Sequence, residues 1–193
     1  MAITAKTGIS FGIVGPLVFL FFYSIAMASD SEYTFFENYL SDLGVGPGAW
    51  AFNSGLVIVG VMTVLFALFG LGKILGTDIV SSAAKILLTI CGALLAGVGV
   101  FNENYDPAHY VFSVSFFLTF FVALIVISIS LYKSKALGSF GFTVSAMASV
   151  LGIALLRMGG SPESETLAVL TMLVWALLVS GMAMLKEYGH RIP

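Results

Sequence analysis

A small set of polar residues could carry chemistry in this otherwise apolar sequence. Polar and ionisable side chains at membrane depth are costly, so their presence there points to function. His109 is the most versatile of them, because an imidazole that titrates near neutrality can act as a base or as a metal ligand. The candidates are Ser41, Asp42, Asn53, Glu103, His109, Ser113 and Arg157.

A metal site is the first chemistry that these residue types suggest. Asp42, Glu103 and His109 form a set of one imidazole and two carboxylates. Such a set can bind a divalent ion such as zinc and leave a coordination position open for water. Their spacing matches no known metal motif. The competing interpretation is that His109 forms a hydrogen bond at a helix start while the two carboxylates are solvated in loops.

Acyl transfer is a second chemistry. His109 and Ser113 are four residues apart and share a helix face, so with an acid they could form a nucleophile, base and orienting group. Asn53 would orient these groups or donate to an oxyanion, although Ser113 is also interpreted as a packing residue. Arg157 is either a salt-bridge partner for acids such as Asp42 or a clamp on a lipid phosphate or carboxylate.

The composition is that of an integral membrane protein. Of the 193 residues, 59% are hydrophobic and 9% are charged, whereas a soluble domain carries about 25% charged residues. This length predicts a single domain over residues 1–193. A net charge of −2 and the absence of a basic patch argue against nucleic acid as a partner. The lone Cys91 lies in an apolar run, is interpreted as a small buried hydrophobe, and excludes an internal disulfide.

Six apolar segments are long enough to cross a bilayer, which takes about 20 residues. The first is interpreted as an uncleaved helix, because its apolar run is longer than the core of a signal peptide. The fifth is the weakest, since hydroxyl residues such as Ser145 and Ser149 interrupt it and suit a helix packed inside a bundle. We therefore predict an all-α bundle of six transmembrane helices, at about 8–28, 50–72, 83–101, 109–132, 138–157 and 165–185.

Charge alternates between the loops. One set of loops carries almost all the cations, and the opposite set carries mainly acids. The positive-inside rule therefore predicts a multi-pass protein of the cell membrane with both termini in the cytoplasm and the candidate residues on the outer face. The cations that define the cytoplasmic side are Lys6, Lys73, Lys85, Lys133, Lys135, Lys186 and Arg191.

The first outer loop contains a predicted amphipathic helix. Thr34-Phe35-Phe36-Glu37 has the spacing of a capping box, in which each polar side chain satisfies a free N–H group of the other residue. Phe36, Leu40 and Leu43 then share one helix face. We expect a short helix over about 35–43 that lies on the outer membrane interface.

Three pieces of the sequence resemble the uncharacterised DUF998 family of prokaryotic membrane proteins. They recur in the family's order and approximate spacing over roughly the first 120 residues, whereas the last two segments match only as apolar runs. The family more often has a proline where Asn102 stands, a difference expected to alter loop shape more than chemistry. The pieces are Asn38-Tyr39-Leu40-Ser41-Asp42-Leu43-Gly44, Phe52-Asn53-Ser54-Gly55-Leu56 with Gly60, and Gly97-Val98-Gly99-Val100-Phe101-Asn102-Glu103 followed by His109 and Phe116-Phe117.

The resemblance implies a six-helix membrane protein and brings no assigned reaction. It draws attention to five of the residues already selected, namely Ser41, Asp42, Asn53, Glu103 and His109.

Three classes of function remain open at this point. The first is a membrane-embedded enzyme that acts on a lipid of the outer leaflet, as a metal-assisted hydrolase with Asp42, Glu103 and His109 as ligands or as acid and base. The alternative is a non-catalytic protein that binds a lipid or another small molecule in the same pocket. A transporter or channel ranks last, because the third and fourth segments carry no charge at depth. The oligomeric state is open between monomer and dimer.

Overall fold

Six helices are long and apolar enough to cross a membrane, and they confirm the predicted all-α membrane fold. The computed structural model describes residues 4–158 and 160–189, the last two by their backbone alone; the predicted cytoplasmic Arg191 therefore lies outside the described residues. The helices are α1 (Ala5–Ser29), α2 (Ala49–Ile74), α3 (Ile79–Val100), α4 (Ala108–Ser134), α5 (Gly138–Arg157) and α6 (Pro162–Gly189).

Local hydrogen bonds explain where two of these helices begin. The Thr4 hydroxyl accepts the N–H of Thr7 at the start of α1, at 3.2 Å. The Asp78 carboxylate accepts the N–H of Val80 at 3.0 Å at the start of α3. Such caps satisfy N–H groups that have no partner within the helix. The Ser81 hydroxyl, which donates to Asp78, lowers the pKa of that carboxyl group.

The helices pack in chain order, and α1 also packs against α6, so the bundle closes into a ring. One close crossing joins α2 and α3. A Cβ atom built on Gly92 would lie 2.6 Å from the carbonyl oxygen of Gly60, and one on Gly60 would lie 2.9 Å from the Cβ of Ala96. Small residues thus allow the two backbones to approach, as helix association in lipid requires.

Two of the four hydroxyl residues of α5 face the inside of the bundle as predicted, whereas Ser139 and Thr143 are exposed. Ser145 and Ser149 are both buried. The Ser145 hydroxyl accepts the indole N–H of Trp175 on α6 at 3.0 Å, and the Ser149 hydroxyl donates to the Ser145 carbonyl at 2.7 Å. The two buried hydroxyl residues of this segment are therefore satisfied inside the bundle.

The predicted helix over 35–43 does not form as one element. Residues 35–37 make a turn, and a 3-10 helix follows only at Leu40–Gly44. The side-chain carbonyl of Asn38 accepts the N–H of Thr34 at 2.9 Å. This local bond stabilises the turn in place of a first helical turn.

The 3-10 helix also divides the predicted apolar face. Leu40 and Leu43 are buried against the bundle, whereas Phe36 is 72% exposed in the preceding turn. The helix therefore packs on the protein through its two leucines, and the aromatic residue before it points away.

Candidate functional site

An open cleft of about 700 Å³ lies at one end of the bundle. We call this end the site end; it comprises the connections 30–48 and 101–107 and, between α5 and α6, residues 158, 160 and 161. The 3-10 helix and the turn between α3 and α4 contribute to the cleft, and α4, α5 and α6 form the remaining walls. Five elements from three separate regions of the sequence thus meet around one space.

The cleft is lined by a group of polar residues and a group of apolar residues, which we call its polar side and its apolar side. On the apolar side, Val114 and Leu118 of α4 are 37% and 54% exposed, so this wall continues onto the outer surface of the bundle. The polar side is formed by Ser41, Glu103, Asp106, His109, Ser113 and Glu165. The apolar side is completed by Phe117, Leu155, Leu156 and Ala168. Such a space matches a molecule that is polar at one end and apolar at the other.

His109 and Ser113 are in contact within this cleft. The Nδ1 atom of His109 lies 2.8 Å from the carbonyl oxygen of Phe101, and its Nε2 atom lies 3.3 Å from the Ser113 hydroxyl. A carbonyl oxygen only accepts, so it assigns the proton to Nδ1. Nε2 is then left as the acceptor for the Ser113 hydroxyl. The pair therefore has the arrangement of a nucleophile and its base, with a backbone carbonyl as the orienting group.

The predicted metal set is not assembled. Glu103 and His109 both line the cleft, but Asp42 does not. The Asp42 carboxylate instead accepts the N–H of Tyr39 at 2.9 Å and the amide of Asn38 at 3.4 Å. Within residues 4–158 and 160–189, no three His, Cys, Asp or Glu side chains are placed to hold one metal ion.

Asn53 and Arg157 also lie outside the cleft lining. The Asn53 amide donates to the carbonyl of Gly44 at 2.8 Å, so it fastens α2 to the end of the 3-10 helix and is not aimed at an oxyanion position. Arg157 is exposed at the end of α5, and in the described part of the chain its guanidinium forms no salt bridge. The expected pairing of Arg157 with Asp42 is therefore absent there.

Glu165 and Tyr39 contribute to the site but were not predicted. The Glu165 carboxylate accepts the N–H of Leu40 at 2.8 Å. The Tyr39 hydroxyl donates to the carbonyl of Gly160 at 2.6 Å. Both bonds tie the 3-10 helix to the start of α6. The available signal for Glu165 was its spacing from Ala168 and Met172, which places the carboxylate on the inward face of α6.

The cleft is acidic. Glu103, Asp106 and Glu165 line it together with His109, and no Lys or Arg among the described residues does so. Tyr33 is partly buried, and the pKa of its phenol is raised above the usual range chiefly by burial, then by the neighbouring Tyr23, and least by the negative charges of Glu165 and Asp42. The local potential therefore favours a neutral or cationic group over an anion.

Comparison of this sequence with known protein families identifies the family to which it belongs. The family described as "Protein of unknown function (DUF998)" matches residues 13–185, which include most of α1 and nearly all of α6. The chain belongs to the DUF998 family. The match extends beyond the pieces that carry the sequence resemblance, because it includes α5 and most of α6. No curated protein and no solved structure matches this DUF998 chain.

Proposed function

We propose that this DUF998 protein binds a membrane lipid in the cleft at the site end. The observation that carries the proposal is that both polar and apolar side chains line one open cleft at the end of six membrane helices. The exposed Val114 and Leu118 give the apolar side a direct connection to the surrounding bilayer. A lipid can therefore enter sideways, with its head group towards His109 and its chain along α4 and α5.

The charge of the cleft specifies the head group. Glu103 and Asp106 supply the negative charge of the polar side, and the cation Arg157 is not part of it. A phosphomonoester or another strongly anionic head group would be repelled there. The ligand is therefore a lipid whose head group is neutral or contains an ammonium group.

Lipid retention tests this proposal. The protein is purified in mild detergent, reconstituted with equal amounts of phosphatidylethanolamine and phosphatidylglycerol, and analysed for bound lipid by native mass spectrometry. We expect phosphatidylethanolamine to be retained preferentially. Leu156→Trp fills the apolar side and should abolish retention, whereas Leu151→Trp, on the exposed outer face of the same helix, should not. Equal retention by both variants and the native protein would overturn the proposal.

Acyl transfer from the bound lipid is a second candidate, favoured by the contact between Ser113 and His109. In that reaction the Ser113 Oγ atom attacks an ester carbonyl and His109 Nε2 takes the hydroxyl proton. The alcohol leaves with that proton, and water then releases the acid and regenerates Ser113. The metal-assisted hydrolysis considered from the sequence would need Asp42 to leave its present partners.

A fluorophosphonate probe tests this second candidate, because it forms a covalent adduct with activated serines. We expect labelling that disappears in Ser113→Ala and persists in Ser115→Ala, a matched change on the same helix outside the cleft lining. Absence of labelling in the native protein, at a probe concentration that labels a control serine hydrolase, would leave lipid binding as the function and exclude the reaction.

We also propose that the site end faces the cell exterior and that both termini are cytoplasmic. The support is the distribution of cations, since Lys6, Lys73, Lys133 and Lys186 all lie near the helix ends opposite the site end. Short cytoplasmic loops carry such an excess of cations.

A further inference from the structure

We infer that the centre of the helix ring receives the end of one alkyl chain of the lipid bound in the cleft. This inference rests on the proposed lipid binding and specifies its ligand further. It makes the protein selective for chain length, because one chain would run past Ser113 into the bundle while the rest of the lipid stays in the cleft.

Two further cavities continue from the cleft towards the centre of the bundle. The first, of about 40 Å³, shares four lining residues with the cleft. The second, of about 100 Å³, lies deeper and shares five lining residues with the first. The residues shared by cleft and first cavity are Ser41, Ser113, Phe117 and Glu165; those shared by both cavities are Phe19, Leu56, Leu95, Phe116 and Val169. Three adjoining spaces are therefore arranged in series, and the shared side chains line the boundaries between them.

The deep cavity presents a dry apolar wall. Its two polar side chains are both satisfied elsewhere: the Thr63 hydroxyl donates to the Val59 carbonyl at 2.9 Å, and the Trp175 indole donates to Ser145 at 3.0 Å. The other described lining residues are glycines, a proline and apolar side chains. Water needs two or more polar partners in such a space. An alkyl chain is the occupant whose chemistry fits this wall.

The volumes of the two inner cavities limit how much of an alkyl chain can enter them. Water occupies about 30 Å³ in the liquid, and a methylene group is of similar size, so the deep cavity of about 100 Å³ has room for roughly three carbons. Bilayer tails are as apolar as this wall, so entry gains little from the hydrophobic effect and depends on fit. A chain too short to reach the cavity leaves it unfilled, and the energy of close packing there is not gained.

Photo-crosslinking shows directly where the alkyl chain of the lipid lies in the native protein. The probe is a palmitoyl lysophosphatidylethanolamine with a diazirine at the end of its chain, added to the protein in nanodiscs. After irradiation and digestion, we expect adducts on inward residues of α3 and α6, such as Leu95 and Met172. Adducts confined to outward residues such as Val122 and Leu151 would overturn the inference.

A comparison of lysolipids with long and short alkyl chains tests this inference independently of the proposed lipid binding. Val169→Phe enlarges a side chain that lines both inner cavities, and Val174→Phe makes the same change on the exposed face of α6. We expect Val169→Phe to weaken binding of the palmitoyl lysolipid about tenfold or more, the effect of overfilling a packed space. Octanoyl lysolipid binding should change less than twofold, and Val174→Phe should change neither.

The outcomes are distinct. If the native protein binds neither lysolipid, both the proposed function and the inference fail. If it binds both and Val169→Phe affects them equally or not at all, lipid binding stands and the chain does not enter the bundle. Crosslinking in the native protein decides the inference even if Val169→Phe fails to fold.

Discussion

His109 has a structural role as well as its contact with Ser113. Its ring donates to the carbonyl of Phe101, the residue that directly follows α3, where carbonyl groups have no partner within the helix. The same bond holds the end of α3 against the start of α4 and leaves Nε2 directed at Ser113. At the scale of one residue, the fold and the possible chemistry therefore depend on different nitrogen atoms of the same ring.

Substitution of His109 can separate these two roles. In His109→Asn, the side-chain amide can replace Nδ1 as the donor to Phe101, but no base remains for Ser113. We expect its stability to stay within about 0.5 kcal/mol of the native protein, whereas His109→Ala should lose about 1–2 kcal/mol because a carbonyl is left unpaired. Unfolding in detergent measures the stability, and fluorophosphonate labelling measures the base. Equal destabilisation by both variants would contradict this separation of roles.

At the scale of elements, the 3-10 helix is held in place by α6 and by the residues just before it. Glu165 and the carbonyl of Gly160 accept from Leu40 and Tyr39, respectively. These bonds close the segment over the cleft, whose lining includes Ser41 of the same helix. Loss of either bond should increase local opening of the segment without unfolding the bundle.

Hydrogen exchange can detect this local opening. We expect Glu165→Ala to increase amide exchange at Leu40 and Ser41, because the N–H of Leu40 loses its acceptor. Tyr39→Phe should produce a smaller increase, since only the bond to Gly160 is lost. Tyr132→Phe, an exposed change near the opposite end of α4, serves as the control and should leave the exchange unchanged. Unaltered exchange in Glu165→Ala would show that other contacts hold the segment.

The crossing of α2 and α3 provides a prediction about helix packing. Gly92→Ala would place a methyl group 2.6 Å from the Gly60 carbonyl, so we expect a loss of about 1–3 kcal/mol in the free energy of unfolding. Gly181→Ala in α6 has open space around the new methyl group and should be neutral or stabilising by up to about 1 kcal/mol. Chemical denaturation in detergent compares the two variants, and similar values for both would contradict the close approach of α2 and α3 as the cause.

The helix ends could be predicted closely, and the first loop could not. Apolar runs bounded by polar connections determine the spans, and even the interrupted segment before Arg157 forms a helix from Gly138 as predicted. In the first loop, the spacing of Thr34 and Glu37 predicted a helix start, but the Asn38 side chain accepts the N–H of Thr34 and stabilises a turn there. The 3-10 helix that follows is held by Glu165. That partner is 125 residues away in sequence, so no local pattern reveals it.

The candidate residues were predictable only as a set at one end of the molecule. Ser41, Glu103, His109 and Ser113 line the cleft, because the ends of their elements meet there. Asp42 and Asn53 have the residue types of a site but bond to Tyr39 and Gly44. Tertiary packing decides which polar groups already have a hydrogen-bond partner. The spacing of residues in the sequence does not contain that information.

At the scale of the whole molecule, the ends of the bundle differ in charge and shape. The site end carries the cleft and most of the acids, and the opposite end carries short connections with lysines such as Lys73 and Lys133. A bilayer with a negatively charged cytoplasmic surface favours the basic end on that side. The orientation determines which leaflet would supply the proposed lipid, since the cleft lies at one end of the described bundle.

Cysteine labelling in intact cells tests this orientation. Ser31→Cys places a thiol in the exposed connection after α1, and Ser134→Cys places one at the exposed end of α4. We expect a membrane-impermeant maleimide to label Ser31→Cys in intact cells and Ser134→Cys only after permeabilisation. The native Cys91 is fully buried and provides the unlabelled control. The reverse pattern would place the cleft in the cytoplasmic leaflet, so that its lipid would be drawn from that side.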